Sequence, residues 1–360
     1  MKVNLENLAY RIAKVKAKFT VTAMPDFFID HFIIFPSSIE ELVMEIKEAA
    51  KRHGGNIFKG HQYLLRGGCA ANFASALAKL GVKVKLIAET NIIGRHILEV
   101  FAENVDLNHL KIGDEYSITA ALEVKVHDKN VNIMISYPGP ASNFGPEKLN
   151  ESDYETIMKS DFIAIFSWNM NKRANNLIKE VFSRAKNSGK SKTYLDLGDP
   201  TSKKDELKKL IREVLVKDLV DALSVNENEL IQLASAINVN IGGDHQGRLI
   251  GTLKAVSMKL NLRIDLHTAC FAATAYEGEI KVVPTFAVKV LRVTGAGDAW
   301  NAGNIFGWGI NLTDVERLMV ANAVAAYYIS NEHAEHPSLS DLARFLINNK
   351  SNLHKLNANC

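Results

Sequence analysis

Short apolar runs alternate with amphipathic helical segments over the second half of the chain, and this alternation constrains the fold more than any other feature. Four runs are typical of buried strands: residues 162–166, 193–197, 222–225 and 263–268. The segments with helical periodicity are residues 172–187, 204–216, 227–236 and 247–260. Alternating strands and helices favour a mainly parallel sheet covered by helices on both faces. The sequence therefore predicts a three-layer α/β/α fold.

The first half of the chain contains β-rich segments that interrupt this alternation. They are residues 28–36, 56–66 and 116–137, the last of which has the pattern of a hairpin. We expect them to pair into a small separate sheet, a β lid over the carboxyl ends of the main strands. Residues 1–360 are then predicted to form a single domain that carries this lid. Beyond the last two predicted helices, at residues 299–307 and 315–330, the sequence indicates a polar tail.

Composition and charge argue against several classes of function. Hydrophobic residues make up 47% of the chain and charged residues 23%, which is ordinary for a globular protein. The formal charge is +3, and no concentrated basic patch indicates nucleic-acid binding. No apolar run reaches the roughly 18 residues of a membrane span, so no membrane partner is expected. Three widely separated cysteines without a CxxC pair favour a reducing compartment, and the cytoplasm is the expected location.

The strongest local signal is a glycine-rich turn that opens a helix, Thr294-Gly295-Ala296-Gly297-Asp298. Its glycines let the backbone turn sharply and bring N–H groups close to a ligand. N–H groups at a helix N-terminus form a site for an anion, such as a transferring phosphoryl group. Asp298 falls in the first turn, where its carboxylate could accept the proton of an attacking hydroxyl. The alternative is structural, because an aspartate in the first turn is often only a capping residue.

Two further segments place polar residues at the starts of helices. After Gly67-Gly68, an alanine-rich helix has Asn72 as the one polar residue of its first turn, where it could point at a substrate hydroxyl. Asn226 and Glu229 share a helix face after a strand and could hold Mg²⁺ through water molecules. Taken alone, the first segment is more typical of close helix packing and the second of an ordinary helix cap.

The order and spacing of these three segments resemble the signatures of the ribokinase-like (PfkB) family, which includes sugar and nucleoside kinases. The likeness spans roughly residues 19–334 and is most specific at the glycine-rich turn. The resemblance implies Asp298 as the catalytic base. It implies an anion hole at Gly295, Ala296 and Gly297 that stabilises the charge of the transferring phosphoryl group.

On the acceptor side, the resemblance implies contacts from Gly68 and Asn72. Members of the family also carry an early aspartate that grips two acceptor hydroxyls. Asp30 matches this aspartate best, with Asp26 as the competitor. The spacing is two residues longer than usual, and the glycine that precedes the aspartate in the family is Ala23 here.

On the donor side, the resemblance implies that Asn226 and Glu229 organise Mg²⁺, through water, and the phosphates of ATP. The nucleotide segment of the family, Thr-x-Gly-x-x-Gly, corresponds to a segment that begins at His267, so His267 and Ala269 are expected at the nucleotide. A core histidine is an equally good interpretation of His267. Asn322, in the helix after the catalytic one, also resembles the pattern of the family and is assigned to the nucleotide.

The chain departs from the family just before the glycine-rich turn. Arg292 stands where many members have an aspartate that helps to bind an activating monovalent cation. One hypothesis is that the Arg292 guanidinium supplies part of the missing charge, so that K⁺ is not needed. The other is that Arg292 is a surface residue without a role.

Three polar residues outside these motifs have two interpretations each. Asp196 ends a predicted strand and could face the donor phosphates, but a polar loop is slightly favoured. His333 and His336 form a pair without further ligands, so we interpret them as part of a solvated tail rather than a metal site.

The sequence thus predicts an ATP- and Mg²⁺-dependent kinase that transfers the γ-phosphoryl group to a hydroxymethyl group of a sugar. A nucleoside kinase of the adenosine, guanosine or cytidine type is the alternative within the same fold. From another class, the chain could be a catalytically silent sugar- or nucleotide-binding regulator, although the retained motifs argue against silence. The expected partners are small molecules, and a homodimer through the lid is a further hypothesis.

Overall fold

The computed structural model describes residues 3–127, 129–240, 242 and 245–356. Its strands are β1 Thr20–Met24, β2 Phe28–Ser38, β3 His61–Gly67, β4 Lys83–Leu86, β5 Glu89–Thr90, β6 Val105–Asp106, β7 Lys111–Ile112, β8 Ile118–Val126, β9 Lys129–Tyr137, β10 Phe162–Ile165, β11 Lys192–Asp196, β12 Ala222–Val225, β13 Arg263–His267, β14 Phe271–Tyr276 and β15 Glu279–Pro284. Its α-helices are α1 Leu5–Lys14, α2 Ile39–Lys51, α3 Cys69–Lys79, α4 Ile92–Phe101, α5 Glu151–Lys159, α6 Ala174–Ser188, α7 Lys204–Glu213, α8 Glu227–Ala236, α9 His245–Leu260, α10 Ala296–Gly309, α11 Asp314–Ser330 and α12 Leu339–Asn348.

The main sheet has nine strands in the order β15-β14-β13-β12-β11-β10-β1-β4-β6. Neighbouring strands from β13 to β6 are parallel, whereas β14 and β15 add to one edge as an antiparallel hairpin. The central strands are almost wholly apolar and buried, because helices cover both of their faces. Because these strands are parallel, their carboxyl ends lie along one edge of the sheet.

Two hydrophobic cores lie on opposite faces of this sheet. One contains residues of α1, α3, α10, α11 and α12, including Phe73 and Phe306. The other contains residues of α5 to α9, including Phe182 and Leu253. The predicted three-layer α/β/α class is thereby confirmed. No helix in the described part of the chain is long and apolar enough to cross a membrane.

A second, four-stranded sheet has the order β3-β2-β8-β9. Strand β2 pairs antiparallel with β3 and parallel with β8, and β8 and β9 form a hairpin. These strands largely coincide with the predicted β-rich segments, although β2 continues to Ser38 and the middle segment becomes a strand only from His61 to Gly67. β2 follows the carboxyl end of β1, and β3 leads directly into α3. The small sheet therefore joins the main one at the edge where the parallel strands end.

The two ends of the chain form helices that the sequence did not indicate. α1 buries one apolar face made of Leu5, Leu8, Ala9 and Ile12. It packs against α12, so the segment interpreted as a polar tail contains a helix. Each helix is only 10 residues long, and each gains a buried face only by packing against other helices.

The interpretation of His336 as part of a solvated tail is also wrong. Its side chain is only 5% exposed and stacks on the ring of Tyr328 at 4.6 Å between ring centroids. Both ring nitrogens are buried without a hydrogen-bond partner in the described residues. His333, by contrast, is exposed as expected.

Helix α10 is buried on all sides, since every residue from 298 to 307 is shielded from solvent. At Gly303, an added Cβ would lie 2.7 Å from the Cα of Ala321, so the backbones of α10 and α11 touch there. On the sheet side, the amide of Asn301 accepts from Tyr194 and donates to Asp196, at 2.7 and 2.8 Å. These contacts fix the helix whose N-terminus carries the glycine-rich turn.

Candidate active site

The glycine-rich turn forms the N-terminus of α10. Gly295 precedes the helix with a φ of 83°, in the left-handed region that favours glycine. The N–H group of Ala296 donates to the carbonyl of Val293 at 3.1 Å, so it is not open to a ligand. The N–H groups of Gly297 and Asp298 have no acceptor in the described residues. These two N–H groups can therefore receive an anion.

Asp298 lies beside these N–H groups, and its side chain is buried at 9% exposure. Asn72, from the first turn of α3, donates to its Oδ2 at 3.0 Å. Burial raises the pKa of Asp298 to about 7, although the hydrogen bond from Asn72 lowers it. A carboxyl with a pKa near neutrality is suited to accept a proton from a substrate hydroxyl.

Asp26 lies against the N-terminus of α3, where Gly68 is the N-cap residue. Its two carboxylate oxygens accept from the N–H groups of Cys69 and Ala70, at 2.7 and 3.0 Å. Gly68 allows this contact, because its φ is 86° and a Cβ there would lie 2.9 Å from Oδ2 of Asp26. With both oxygens engaged, Asp26 is the weaker candidate for gripping an acceptor, which leaves Asp30.

Asp30 lies on β2 with its side chain folded over Gly67. A Cβ at Gly67 would come 2.2 Å from the carboxylate of Asp30, so only glycine permits this arrangement. Burial raises the pKa of Asp30 to about 7, and the nearby charge of Arg66 opposes the shift. Asp30 accepts no hydrogen bond from the described part of the chain. A buried carboxylate without a donor is able to bind hydroxyl groups of a ligand.

Asn226 and Glu229 form a capping box at the start of α8. The side chain of Asn226 accepts from the N–H of Glu229 at 3.0 Å, and Glu229 accepts from the main-chain N–H and side chain of Asn226 at 2.9 and 2.7 Å. The capping interpretation is therefore realised in the structure. Capping alone does not explain the raised pKa of Glu229, because this carboxyl group also lies near Asp196.

Glu229, in the first turn of α8, and Asp196, the last residue of β11, are two buried carboxyl groups. Burial raises the pKa of Glu229, and the charge of Asp196 raises it further. Burial likewise raises the pKa of Asp196, which is 9% exposed and is not part of a solvated loop. A cation would relieve this unfavourable charge. Among the described residues, no three His, Cys, Asp or Glu side chains cluster as a direct metal site.

His267 lies against the glycine-rich turn. A Cβ at Gly297 would be 3.5 Å from its Cε1, and its ring packs on Trp300 with 5.0 Å between centroids. Burial lowers the pKa of His267 to about 4, so the imidazole is neutral at pH 7. Its Nε2 is buried without a partner in the described residues. His267 therefore lies next to the anion site, as the sequence analysis allowed. Its imidazole is neutral there and carries no positive charge.

The other two residues assigned to the nucleotide differ in their positions. Ala269 is exposed in the turn between β13 and β14, where a ligand could approach its backbone. Asn322 is buried, and its amide accepts from the indole N–H of Trp300 at 2.8 Å and donates to the carbonyl of Pro284 at 2.9 Å. The structure therefore gives Asn322 a packing role beneath the site and does not bring it to the open cleft.

Arg292 is not a surface residue without contacts. Its guanidinium donates to the main-chain carbonyls of Asn331 and Glu332, at 2.5 and 2.9 Å. These bonds tie the segment before the glycine-rich turn to the segment after α11. Whether this charge also replaces a bound monovalent cation stays a prediction.

Two residues at the site were not singled out from the sequence. Arg66 is the last residue but one of β3 and interacts electrostatically with Asp30 and Asp298. The hydroxyl of Tyr328 lies 2.8 Å from where a Cβ on Gly295 would be. The only signal in the sequence was their proximity to recognisable motifs, which does not indicate the direction of a side chain.

Comparisons with known proteins identify relatives of this chain. The family described as "pfkB family carbohydrate kinase" matches residues 37–341. The ATP-dependent ribose-1-phosphate kinase of Halopiger xanaduensis is 28% identical over 287 residues, which make up 78% of this chain and 86% of that protein.

Two solved structures share the fold. Arabidopsis thaliana ribokinase, complexed with ribose and ATP, superposes with a TM-score of 0.70 at 18% identity over 92% of this chain and 99% of its own. Xylella fastidiosa fructokinase with bound ATP gives the same four values. At these identities, the two structures support the fold alone.

Proposed function

Because this chain belongs to the pfkB family of carbohydrate kinases, and is a phosphotransferase acting on a sugar or nucleoside alcohol, we propose that it phosphorylates a hydroxymethyl group of a sugar from ATP. The observation that carries the proposal is the pairing of a buried carboxyl, Asp298, with two open N–H groups at the start of α10. A base and an anion site within one helical turn suit phosphoryl transfer.

In the proposed reaction, Asp298 accepts the proton of the acceptor hydroxyl as the hydroxyl oxygen forms a bond to the γ-phosphorus of ATP. The bond from that phosphorus to the leaving oxygen breaks, and ADP departs. The N–H groups of Gly297 and Asp298 stabilise charge on the phosphoryl oxygens. Asn72 holds the carboxylate in position, and Asp30 orients the acceptor through its hydroxyls.

Mg²⁺ is the proposed metal, held through water by Asn226 and Glu229, with Asp196 nearby. It would neutralise negative charge on the donor phosphates. The support is the pair of buried carboxyls, each of which has a pKa raised by burial. His267 and Ala269 are proposed to line the nucleotide site, whereas Asn322 is proposed to act only by holding Trp300.

Glu229→Gln is expected to raise the Mg²⁺ concentration that gives half-maximal activity by about 10- to 100-fold, the usual effect of changing a residue that holds metal-bound water. The amide still accepts from Asn226, so the cap is largely kept. The measurement is initial rate against free Mg²⁺ at saturating ATP. Glu316→Gln is the matched control, because Glu316 occupies the corresponding position in the capping box of α11. An equal shift in both variants would contradict the role of Glu229.

The activity is expected to depend on two carboxyl groups with a pKa of about 7. Asp298 must be ionised to accept a proton, and Asp30 must be ionised to accept hydroxyls. Since burial raises both pKa values, activity is present above pH 7 and is lost below it. Because both groups must be ionised, kcat/KM of the wild type is expected to fall by up to about a hundredfold per pH unit on the acid side. In Asp30→Asn only Asp298 titrates, so the expected fall is about tenfold per pH unit. A wild-type profile flat from pH 8 to pH 5 would contradict this assignment.

The acceptor is best identified by a screen of ADP release over pentoses, hexoses, their phosphates and nucleosides. A sugar or sugar derivative is expected to be the substrate; the relative in Halopiger xanaduensis acts on ribose 1-phosphate. The aromatic residues near the start of β2 offer little to a base, since Phe27, Phe28 and Phe35 are buried and Phe32 stacks on Tyr63. Turnover of nucleosides only would establish the alternative kinase. No ADP release by a folded chain with any acceptor would favour a silent regulator.

We also propose that the small sheet acts as a lid that excludes water, and that two chains associate through it in the cytoplasm. Its exposed apolar side chains support an interface: Leu64, Met134, Ile135 and Tyr137. Light scattering of the full chain, compared with a variant in which Ile135 is replaced by lysine, would test the dimer.

A further inference from the structure

Two buried amide side chains interrupt the apolar interior of helix α10. Asn301 and Asn304 are both fully buried, although every other residue from 299 to 307 is aliphatic, aromatic or glycine. A buried amide is costly unless its donors and acceptor are satisfied, so packing alone does not explain the pair. Their hydrogen bonds form a chain that runs from the interior to the candidate metal site.

The direction of these hydrogen bonds is set by Arg317 at the far end of the chain. A guanidinium can only donate, so the amide oxygen of Asn304 accepts from Arg317 and the NH₂ group points the other way. This NH₂ group donates to the hydroxyl of Tyr194 at 3.0 Å and to Asp265 at 2.9 Å. Because the Tyr194 oxygen accepts that bond, its own proton is donated to Asn301, at 2.7 Å.

Asn301 is thereby held in one orientation. Its amide oxygen accepts from the hydroxyls of Tyr194 and Ser224, each at 2.7 Å. The NH₂ group is turned towards Asp196 and donates to its Oδ2 at 2.8 Å. A flipped amide would set its oxygen against the carboxylate and its N–H groups against two hydroxyls. Three hydrogen bonds would be lost together in the interior, so the observed orientation is strongly preferred.

Asp196 is the group on which this orientation acts. Its Oδ1 accepts from the main-chain N–H of Gly198 at 3.2 Å, and its Oδ2 accepts from Asn301. A carboxylate has about four acceptor positions, so the two bonds leave others for water. The charge of Asp196 raises the pKa of Glu229 and that of Asp298, which places it between the donor side of the cleft and the base.

The same helix carries the base and the residue that holds Asp196. Asp298 and Asn301 lie three positions apart on α10, so they share a helix face. Side chains on a helix lean towards its N-terminus, which for α10 is the end that lies in the cleft. Asn301 therefore joins the metal side of the site to the helix whose first turn binds the phosphoryl group.

We propose that Asn301 is a positioning residue, which orients Asp196 towards the water molecules that Mg²⁺ carries beside Glu229. This inference rests on the proposed function. Asn301 is fully buried and contacts neither substrate nor metal. The hydroxyls of Tyr194 and Ser224 belong to the same device, since they determine which end of the amide faces Asp196. A carboxylate fixed in this way holds metal-bound water in one place, which favours one arrangement of the metal and the donor phosphates.

Two kinds of variant test this role. Asn301→Ala removes the amide. Tyr194→Phe combined with Ser224→Ala keeps Asn301 but removes both donors to its oxygen, so the amide is free to flip. Each of these two single variants leaves one donor in place and is expected to have a smaller effect than the double variant. A role in packing alone predicts no such difference between the single variants and the double variant in metal binding.

Asn175→Ala is the matched control. Asn175 is buried on α6, on the face of the sheet opposite α10. Its amide makes the same kinds of bond as that of Asn301, because it accepts from the indole N–H of Trp168 at 2.6 Å and donates to the carboxylate of Glu206 at 2.9 Å. The control variant therefore loses comparable hydrogen bonds away from the metal side of the site.

The first measurement is the Mg²⁺ concentration that gives half-maximal rate at saturating ATP. It is expected to rise by about tenfold in Asn301→Ala and in the double variant, the lower end of the usual effect of changing a residue that orients a metal ligand. The second measurement needs no turnover: calorimetry gives the affinity for ADP with Mg²⁺ relative to that with EDTA. This ratio is expected to fall by about tenfold in the same two variants and to keep its wild-type value in Asn175→Ala.

The outcomes separate the inference from the kinase function. If Asn301→Ala and the double variant lower only the melting temperature, as Asn175→Ala does, Asn301 merely packs α10 against the sheet. The inference is then overturned while the kinase function stands. If no acceptor yields ADP but the effect of Mg²⁺ on ADP binding falls in both variants, the kinase function fails and the positioning role stands. If Asn301→Ala does not fold, the double variant decides by the same two measurements, because it retains Asn301.

Discussion

Asp298→Asn is expected to lower kcat by about 10²- to 10⁴-fold, the usual contribution of a positioned general base. The amide is nearly the same size as the carboxyl and can still accept from the side-chain amide of Asn72, which now donates to Oδ2 at 3.0 Å. The helix and the anion site should therefore persist, while the proton acceptor is lost. The measurement is single-turnover phosphoryl transfer, with ATP and acceptor binding measured separately.

The competing interpretation is that Asp298 merely stabilises the first turn of α10. Asp341→Asn provides the matched control, because Asp341 lies in the first turn of α12 and serves its capping box. Loss of such a cap costs roughly 1 kcal/mol of stability and leaves catalysis intact. If Asp298→Asn behaves like Asp341→Asn, with a lower melting temperature and an unchanged kcat, Asp298 is not the base.

The glycine-rich turn could be predicted because its chemistry is local. Gly295, Gly297 and Asp298 lie within four positions, and a turn followed by a helix brings their groups together in almost any fold. The central strands and helices were predictable for the same reason, since each shows its period within 15 residues or so. Only the ends of these elements differ between the prediction and the structure. For example, α10 begins at Ala296 rather than at residue 299.

The partners of the site residues could not be predicted, because they come from distant parts of the chain. Asn72 reaches Asp298 across 226 positions. The choice between Asp26 and Asp30 depended on whether Asp26 meets the start of α3, which lies 43 positions later at Cys69. The position of Arg66 depends on the pairing of β3 with β2. These are products of tertiary packing, on which a periodic pattern carries no information.

Arg317→Met is expected to lower the free energy of unfolding by about 3–5 kcal/mol, the cost of removing one partner of a buried ion pair. Arg317 is 2% exposed and donates to both carboxylate oxygens of Asp265, at 2.8 and 3.1 Å, while Asp265 is fully buried. Arg317 also donates to Asn304 of α10, so it joins α11, α10 and β13. Chemical denaturation at pH 7 measures the loss.

The dependence of this loss on pH separates a charge effect from a packing effect. Burial alone would raise the pKa of Asp265, but the charge of Arg317 outweighs it and holds the pKa at about 2. In the wild type, this carboxylate contributes stability that is present above its unfolded pKa and is lost as the pH falls towards 2. In Arg317→Met, the same carboxyl is buried without its cation, so its pKa rises and lowering the pH from 7 to 5 should stabilise the variant. Arg317→Met combined with Asp265→Leu should recover most of the lost stability at pH 7, because no buried charge remains. If the single and double variants are equally unstable and neither responds to pH, packing rather than the ion pair holds α10 and α11 against the sheet.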